Sequence, residues 1–175
     1  MTIVVRILPA LLALAAGITD WRSRRIPNWL TVPAAVVGVA VNAWLRGWAG
    51  ARDSLLGLGL GLLLLLPFVL LRSLGAGDWK LVGALGAFFG PSNLIAVLFA
   101  TALVAGFMAL LLVIWKGRFL QTLKNMGRLL AALFSFHLPG QELTLDDPQS
   151  AKVPFGVAVA IAVIVYTARQ TLGFS

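Results

Sequence analysis

Asp20 and Asp78 are the residues of this chain best suited to chemistry. Asp20 closes the first apolar run, in Thr19-Asp20-Trp21-Arg22-Ser23-Arg24-Arg25-Ile26-Pro27-Asn28, and Asp78 closes the third, in Gly75-Ala76-Gly77-Asp78-Trp79-Lys80. A carboxylate in or beside a bilayer is costly, so one that persists at the end of an apolar span is a functional candidate. The chain has six acidic residues, and the other four, Asp53, Glu142, Asp146 and Asp147, fall in segments that read as loops. One pair remains. Two carboxyls brought together can hold one proton between them and activate a water molecule. Each acid also has a plainer reading. Asp78 fits a helix cap behind a flexible glycine pair, and Asp20 could pair with Arg22, Arg24 or Arg25 or cap the following turn.

The elements that must position these acids read as membrane helices. Of 175 residues, 60% are hydrophobic and 11% charged, with a mean hydropathy of +0.96. A soluble domain of this length could not hide so much apolar surface. The apolar stretches are continuous rather than alternating, which argues for helices and against a closed barrel. The expected fold is therefore all-α: a polytopic bundle of about six transmembrane helices forming a single domain over residues 1–175. The spans are expected near 3–19, 29–45, 54–71, 81–89, 93–115 and 154–172. The fourth is too short to cross alone and reads as a tilted or partly buried helix starting near Asp78. The first is expected to be a true span and not a signal peptide, because its basic cluster follows the apolar run.

Charge supplies the orientation. The net charge is +8, but the bases sit in short segments between apolar runs, where they set topology and meet lipid headgroups. No soluble basic module is present, so nucleic acid is not an expected partner. With the N-terminus outside and six spans, the inside segments hold Arg22, Arg24, Arg25, Arg72, Lys80, Lys116, Arg118, Lys124, Arg128 and Lys152. The outside holds Arg6, Arg46, Arg52 and Arg169. This positive-inside bias puts Asp20 and Asp78 on one face, the cytoplasmic one. The six tryptophans, Trp21, Trp29, Trp44, Trp48, Trp79 and Trp115, all fall near expected span ends and read as interfacial anchors. Residues 116–152 place Phe119, Leu120, Leu123, Met126, Leu130, Leu133 and Phe134 at helical spacing, which suits an amphipathic helix lying in the interface. The pairs Gly57-x-x-x-Gly61 and Gly86-x-x-x-Gly90 fit close packing of membrane helices. With no cysteine and one histidine, His137, thiol chemistry and a multi-histidine metal centre are excluded, and neither metal nor cofactor is expected.

Asp20 with its basic stretch and Ile26-Pro27-Asn28, followed by Gly75-x-Gly77-Asp78-x-Lys80, resembles the type IV prepilin peptidases. These are GxGD-type aspartyl peptidases of the membrane, related in mechanism to presenilin and the archaeal preflagellin peptidase. The resemblance covers both acid motifs and the six-span layout. It implies an endopeptidase of the bacterial inner membrane that removes the short basic leader of prepilins on the cytoplasmic side. It makes Asp20 and Asp78 the catalytic pair, with Gly75, Gly77, Lys80, Pro27 and Asn28 as supporting motif residues. Lys152-Val153-Pro154-Phe155-Gly156 resembles the segment that opens the family's last helix, which makes Lys152 and Pro154 substrate-facing. The implied partners are a prepilin, membrane lipid and, compatibly, further copies of the chain. The compact form is similar to the peptidases of tight-adherence (Flp-type) pili. Larger members carry paired cysteines in an extra N-terminal region and methylate the new pilin terminus, so no methyltransferase activity is expected here. The competing readings are a small proton- or cation-coupled transporter subunit and an inactive scaffold of the same fold.

Overall fold

The computed structural model describes residues 3–71, 74–116 and 154–171. They form four helices: α1 (Ile3–Ser23), α2 (Asn28–Leu70), α3 (Ala76–Trp115) and α4 (Phe155–Thr171). No strand occurs among the described residues. α2 and α3 are long and apolar enough to cross a membrane. The bundle shows an apolar exterior, with Val36, Leu63, Leu70, Phe99 and Leu103 all more than half exposed. Lipid is the solvent such an exterior suits. Residues 3–105 and 154–171 belong to one compact unit, and the end of α3 from Gly106 belongs to a second.

Four helices thus stand where six spans were expected, because the expected second and third spans fall inside α2 and the fourth and fifth inside α3. α2 has 43 residues. Straight, it would run about 64 Å, twice the ~30 Å of a hydrocarbon core. It is not straight. Gly47 has φ 60° and ψ −145°, a conformation open in practice to glycine alone, and there the chain doubles back. A Cβ on Gly50 would strike the Asn42 carbonyl oxygen and lie 2.8 Å from the Arg46 Cβ. Residues 42 and 50 would stand about 12 Å apart along an unbroken helix. Arg46 and Asp53 form an ion pair across the turn, so Asp53 lies in a helix and not in the loop expected for it.

α3 reverses in the same way at Gly90, with φ 70° and ψ 176°. A Cβ on Gly61 would come within 2.9 Å of the Val82 carbonyl oxygen and 3.2 Å of the Leu94 side chain. Those two residues flank Gly90 and would be about 18 Å apart in a straight helix. Pro91 follows the break and has no N–H, so the Ala87 carbonyl lacks its usual partner four residues on. Asn42 supplies the substitute. Its Nδ2 donates to the carbonyls of Ala87 (3.0 Å), Phe88 (3.1 Å) and its own Gly38 (3.2 Å). Asn93 Nδ2 donates to the Phe89 carbonyl at 3.0 Å. Buried backbone carbonyls need partners of this kind, and here side chains provide them.

The first half of α3 is the centre of the bundle. Every residue from Leu81 to Gly90 is buried, and the break at Gly90 is what ends this stretch. The glycine pairs meet as their spacing predicts: a Cβ on Gly57 would collide with the Gly86 carbonyl, and one on Gly86 with the Gly57 carbonyl. α1 and α4 pack through a second small-residue seam. Ala13, Ala16, Gly17 and Asp20 recur along one face of α1, and Gly156, Val159, Ala160 and Val163 repeat that spacing on α4. All eight residues are buried. Five tryptophans are exposed, as interfacial anchors should be, but Trp79 is not. Its indole N–H donates to the Leu62 carbonyl at 2.6 Å and ties α3 to α2.

Candidate active site

α1 ends just beyond Asp20. Arg24 takes a left-handed conformation (φ 53°), and its N–H returns to the Asp20 carbonyl at 2.9 Å, which closes the last turn. Pro27, extended at φ −76° and ψ 146°, then opens α2 at Asn28. Between them Ile26 is buried at 7% exposure and forms the surface on which α3 begins. A Cβ on Gly77 would lie 2.9 Å from the Ile26 carbonyl oxygen and 3.1 Å from its Cβ. Gly77 is thus the residue that lets the first turn of α3 approach the α1–α2 link at backbone distance. Lys80 Nζ donates to Asn28 Oδ1 at 3.0 Å on the exposed side of the same junction.

Within that turn, Gly75 is the residue before α3 and Asp78 its third. The Gly75 backbone hydrogen-bonds the Asp78 carboxylate, and the Trp79 N–H donates to the Gly75 carbonyl at 3.2 Å. An acid three residues into a helix that reaches back to the capping N–H forms half of a capping box. A Cβ on Gly75 would lie 3.0 Å from Asp78 Oδ2, so a side chain there would crowd the carboxyl.

Asp20 is 7% exposed and meets a different helix. Its Oδ2 accepts the Gly156 N–H at 2.8 Å. Gly156 is the second residue of α4, where backbone N–H groups have no partner within the helix. Pro154, also buried, precedes the helix, and its carbonyl accepts the Ala158 N–H at 3.3 Å. Both carboxyls are therefore held by a glycine N–H at a helix N-terminus, Asp78 by its own helix and Asp20 by α4. Gly77 packs on Ile26, and Gly156 packs on Asp20 and Ala16, so the segments carrying Asp20 and Asp78 lie at one end of the bundle. The breaks at Gly47 and Gly90 lie at the other. Among the described residues no three side chains of metal-binding type gather.

The motif residues Gly75, Gly77, Pro27, Asn28 and Lys80 all surround this junction, and Pro154 reaches it through the start of α4. Lys152 and the amphipathic stretch expected in 116–152 lie outside the described residues, save for its first position. Reading the sequence missed two polar groups that organise the bundle. One is the Gly156 N–H, whose only forewarning is the Pro-Phe-Gly opening of α4. The other is Asn42, an amide in an apolar run. Beside Lys80 an apolar groove of about 670 Å³ opens between α2 and α3, with Thr31, Val36, Leu58, Leu62 and Trp79 in its walls.

A model of the type IV leader peptidase family matches residues 7–110, a stretch that includes Asp20, Asn28, Gly75, Gly77, Asp78 and Lys80. Two proteins named prepilin leader peptidase/N-methyltransferase, from Burkholderia pseudomallei strains 1026b and K96243, are each 38% identical to it over 116 residues. The match takes in 62% of this chain and 36% of each relative. No solved structure matches the chain significantly.

Proposed function

The chain belongs to the type IV leader peptidase family, and from that premise we propose that it is a membrane aspartyl endopeptidase acting on prepilins. The observation that supports this reading is the placement of the Asp20 and Asp78 segments at one end of the bundle, each carboxyl engaged by a glycine backbone N–H. That leaves each acid a second oxygen for water or substrate.

In the proposed reaction the two carboxyls hold one proton. The ionised one takes a proton from water as the water oxygen bonds to the carbonyl carbon of the leader's last residue. The other gives its proton to the carbonyl oxygen. As the resulting diol collapses, one hydroxyl returns its proton to the second carboxyl, the C–N bond breaks, and the leaving nitrogen takes up the proton held by the first carboxyl. The reaction needs no oxidant, and the protons balance within the dyad. The apolar groove beside Lys80 suits an apolar stretch of substrate lying in the membrane, with the scissile bond at its polar end.

The same proposal treats the chain as one peptidase domain that crosses the inner membrane six times. Arg46 and Asp53 at the Gly47 turn, and exposed Trp44 and Trp48 beside it, suit a return to the headgroup level between two passes. Arg22 and Lys80 at the Asp20–Asp78 end support a cytoplasmic site. The proposed substrate is a Flp-type prepilin.

Co-expression with a Flp-type prepilin tests the reading. Wild type should convert the prepilin to a faster-migrating form, and Asp20→Ala and Asp78→Ala should each accumulate the full-length precursor while remaining inserted. Cleavage by either variant at the wild-type rate would end the dyad proposal. Wild type leaving a panel of prepilins uncut would favour the transporter or scaffold reading.

A further inference from the structure

One group in the site has no part in the reaction as written: the Gly156 amide. Its N–H crosses from α4 to Asp20 Oδ2 at 2.8 Å, a contact between residues 136 positions apart in sequence. Asp20 is buried at 7% exposure, so this donor stands where water would otherwise satisfy the oxygen. The position also admits no side chain. A Cβ on residue 156 would lie 2.8 Å from Asp20 Cβ, 3.1 Å from its Oδ2 and 3.2 Å from the Ala16 carbonyl oxygen. Asp20 Cβ and the Ala16 carbonyl are fixed to the α1 backbone and cannot swing aside. The neighbouring seam position bears on the same segment: a Cβ on Gly17 would meet Ala160 Cβ at 3.0 Å and the Gly156 carbonyl oxygen at 3.3 Å.

We infer that Gly156 is a positioning residue of the peptidase: its N–H fixes Asp20 Oδ2 and so turns Oδ1 toward Asp78 and the attacking water. The inference rests on the peptidase reading. It assigns the opening of α4 a direct part in the geometry of the dyad. A carboxylate that loses a buried donor keeps its place in the chain but not its orientation, and orientation governs whether water is activated.

The test uses the full chain in membranes, with prepilin cleavage resolved into kcat and KM. Two variants remove the contact in different ways. Gly156→Ala adds the colliding Cβ. A backbone ester at 156, made with glycolic acid in place of glycine, removes the N–H and adds no bulk. Both should lower kcat at least about tenfold, as loss of a hydrogen bond to a charged group implies. KM should stay near the wild-type value, and the ester should shift the pH profile of kcat. Gly59→Ala, whose added Cβ meets nothing within 4 Å, should stay within about threefold of wild type. An ester variant with wild-type kcat and pH profile overturns the inference even if Gly156→Ala fails to fold. If Asp20→Ala is inactive in that experiment, only the positioning role falls. If Asp20→Ala cleaves like wild type, the peptidase reading falls with it.

Discussion

Replacing Asn42 should destabilise the bundle more than any exposed substitution of similar size. The side chain is 5% exposed and shares its two amide hydrogens among three carbonyls, two of them in α3. Asn42→Ala leaves the Ala87 and Phe88 carbonyls without that donor, and Pro91 ensures that no helical N–H can replace it at Ala87. An orphaned buried acceptor costs about 1–3 kcal/mol. Membrane proteins fall at the low end, because the unfolded chain in lipid also finds partners. The expected loss is thus about 1–3 kcal/mol for the pair of carbonyls together. Asn42→Asp is the sharper probe. It keeps the shape and replaces the donor by acceptor oxygens aimed at two carbonyl oxygens, so it should lose more than Asn42→Ala. Denaturant unfolding in mixed micelles, followed by tryptophan fluorescence, gives both values against Val36→Ala as an exposed control (Val36 is 65% exposed). If Asn42→Asp unfolds at the wild-type midpoint, the carbonyls at the Gly90 break do not depend on this side chain and the argument fails.

Gly86→Val should be worse tolerated than Gly59→Val. The first places a side chain against the Gly57 carbonyl, and the second meets nothing within 4 Å; overpacking costs about 1–3 kcal/mol or more, and thermal unfolding of the two variants compares them directly. Asp53→Asn should cost less than about 1 kcal/mol, because the Arg46–Asp53 side chains are 53% and 42% exposed and exposed pairs are screened. The effect should shrink further as salt is raised in the same unfolding assay.

The candidate site was more legible in the sequence than the path of the chain that builds it. Asp78 announces itself because its supports are local: Gly75 and Gly77 lie within three residues and define a cap and a close approach by type alone. Asp20, Pro27 and Asn28 are likewise read from one short stretch. Gly156 is not, since an N–H is carried by every residue except proline, and only the tertiary placement of α4 shows which one faces an acid 136 residues away. The small-residue pairs at Gly57, Gly61, Gly86 and Gly90 were legible as a packing signal, but not which helices they would join. The breaks at Gly47 and Gly90 were harder. Both glycines lie among many others, and only the backbone conformation distinguishes a turn from a packing notch. The tie from Trp79 to α2 was not legible either, because an indole beside a span end suits the interface as well as it suits a partly buried carbonyl.

The contact between Asp20 and Gly156 also has a consequence for biosynthesis. Ribosomes add roughly 5–20 residues per second, so the 136 positions between acid and donor correspond to about 7–27 s of elongation. Throughout that interval α1 is already made while the N–H that will hold Asp20 does not yet exist. Asp78 meets its own donor within a single turn and has no such wait. The hydrogen bond to Asp20 is therefore completed by one of the last segments of the described chain to be synthesised, and a nascent chain stalled before α4 carries both carboxyls with only that of Asp78 held by its glycine.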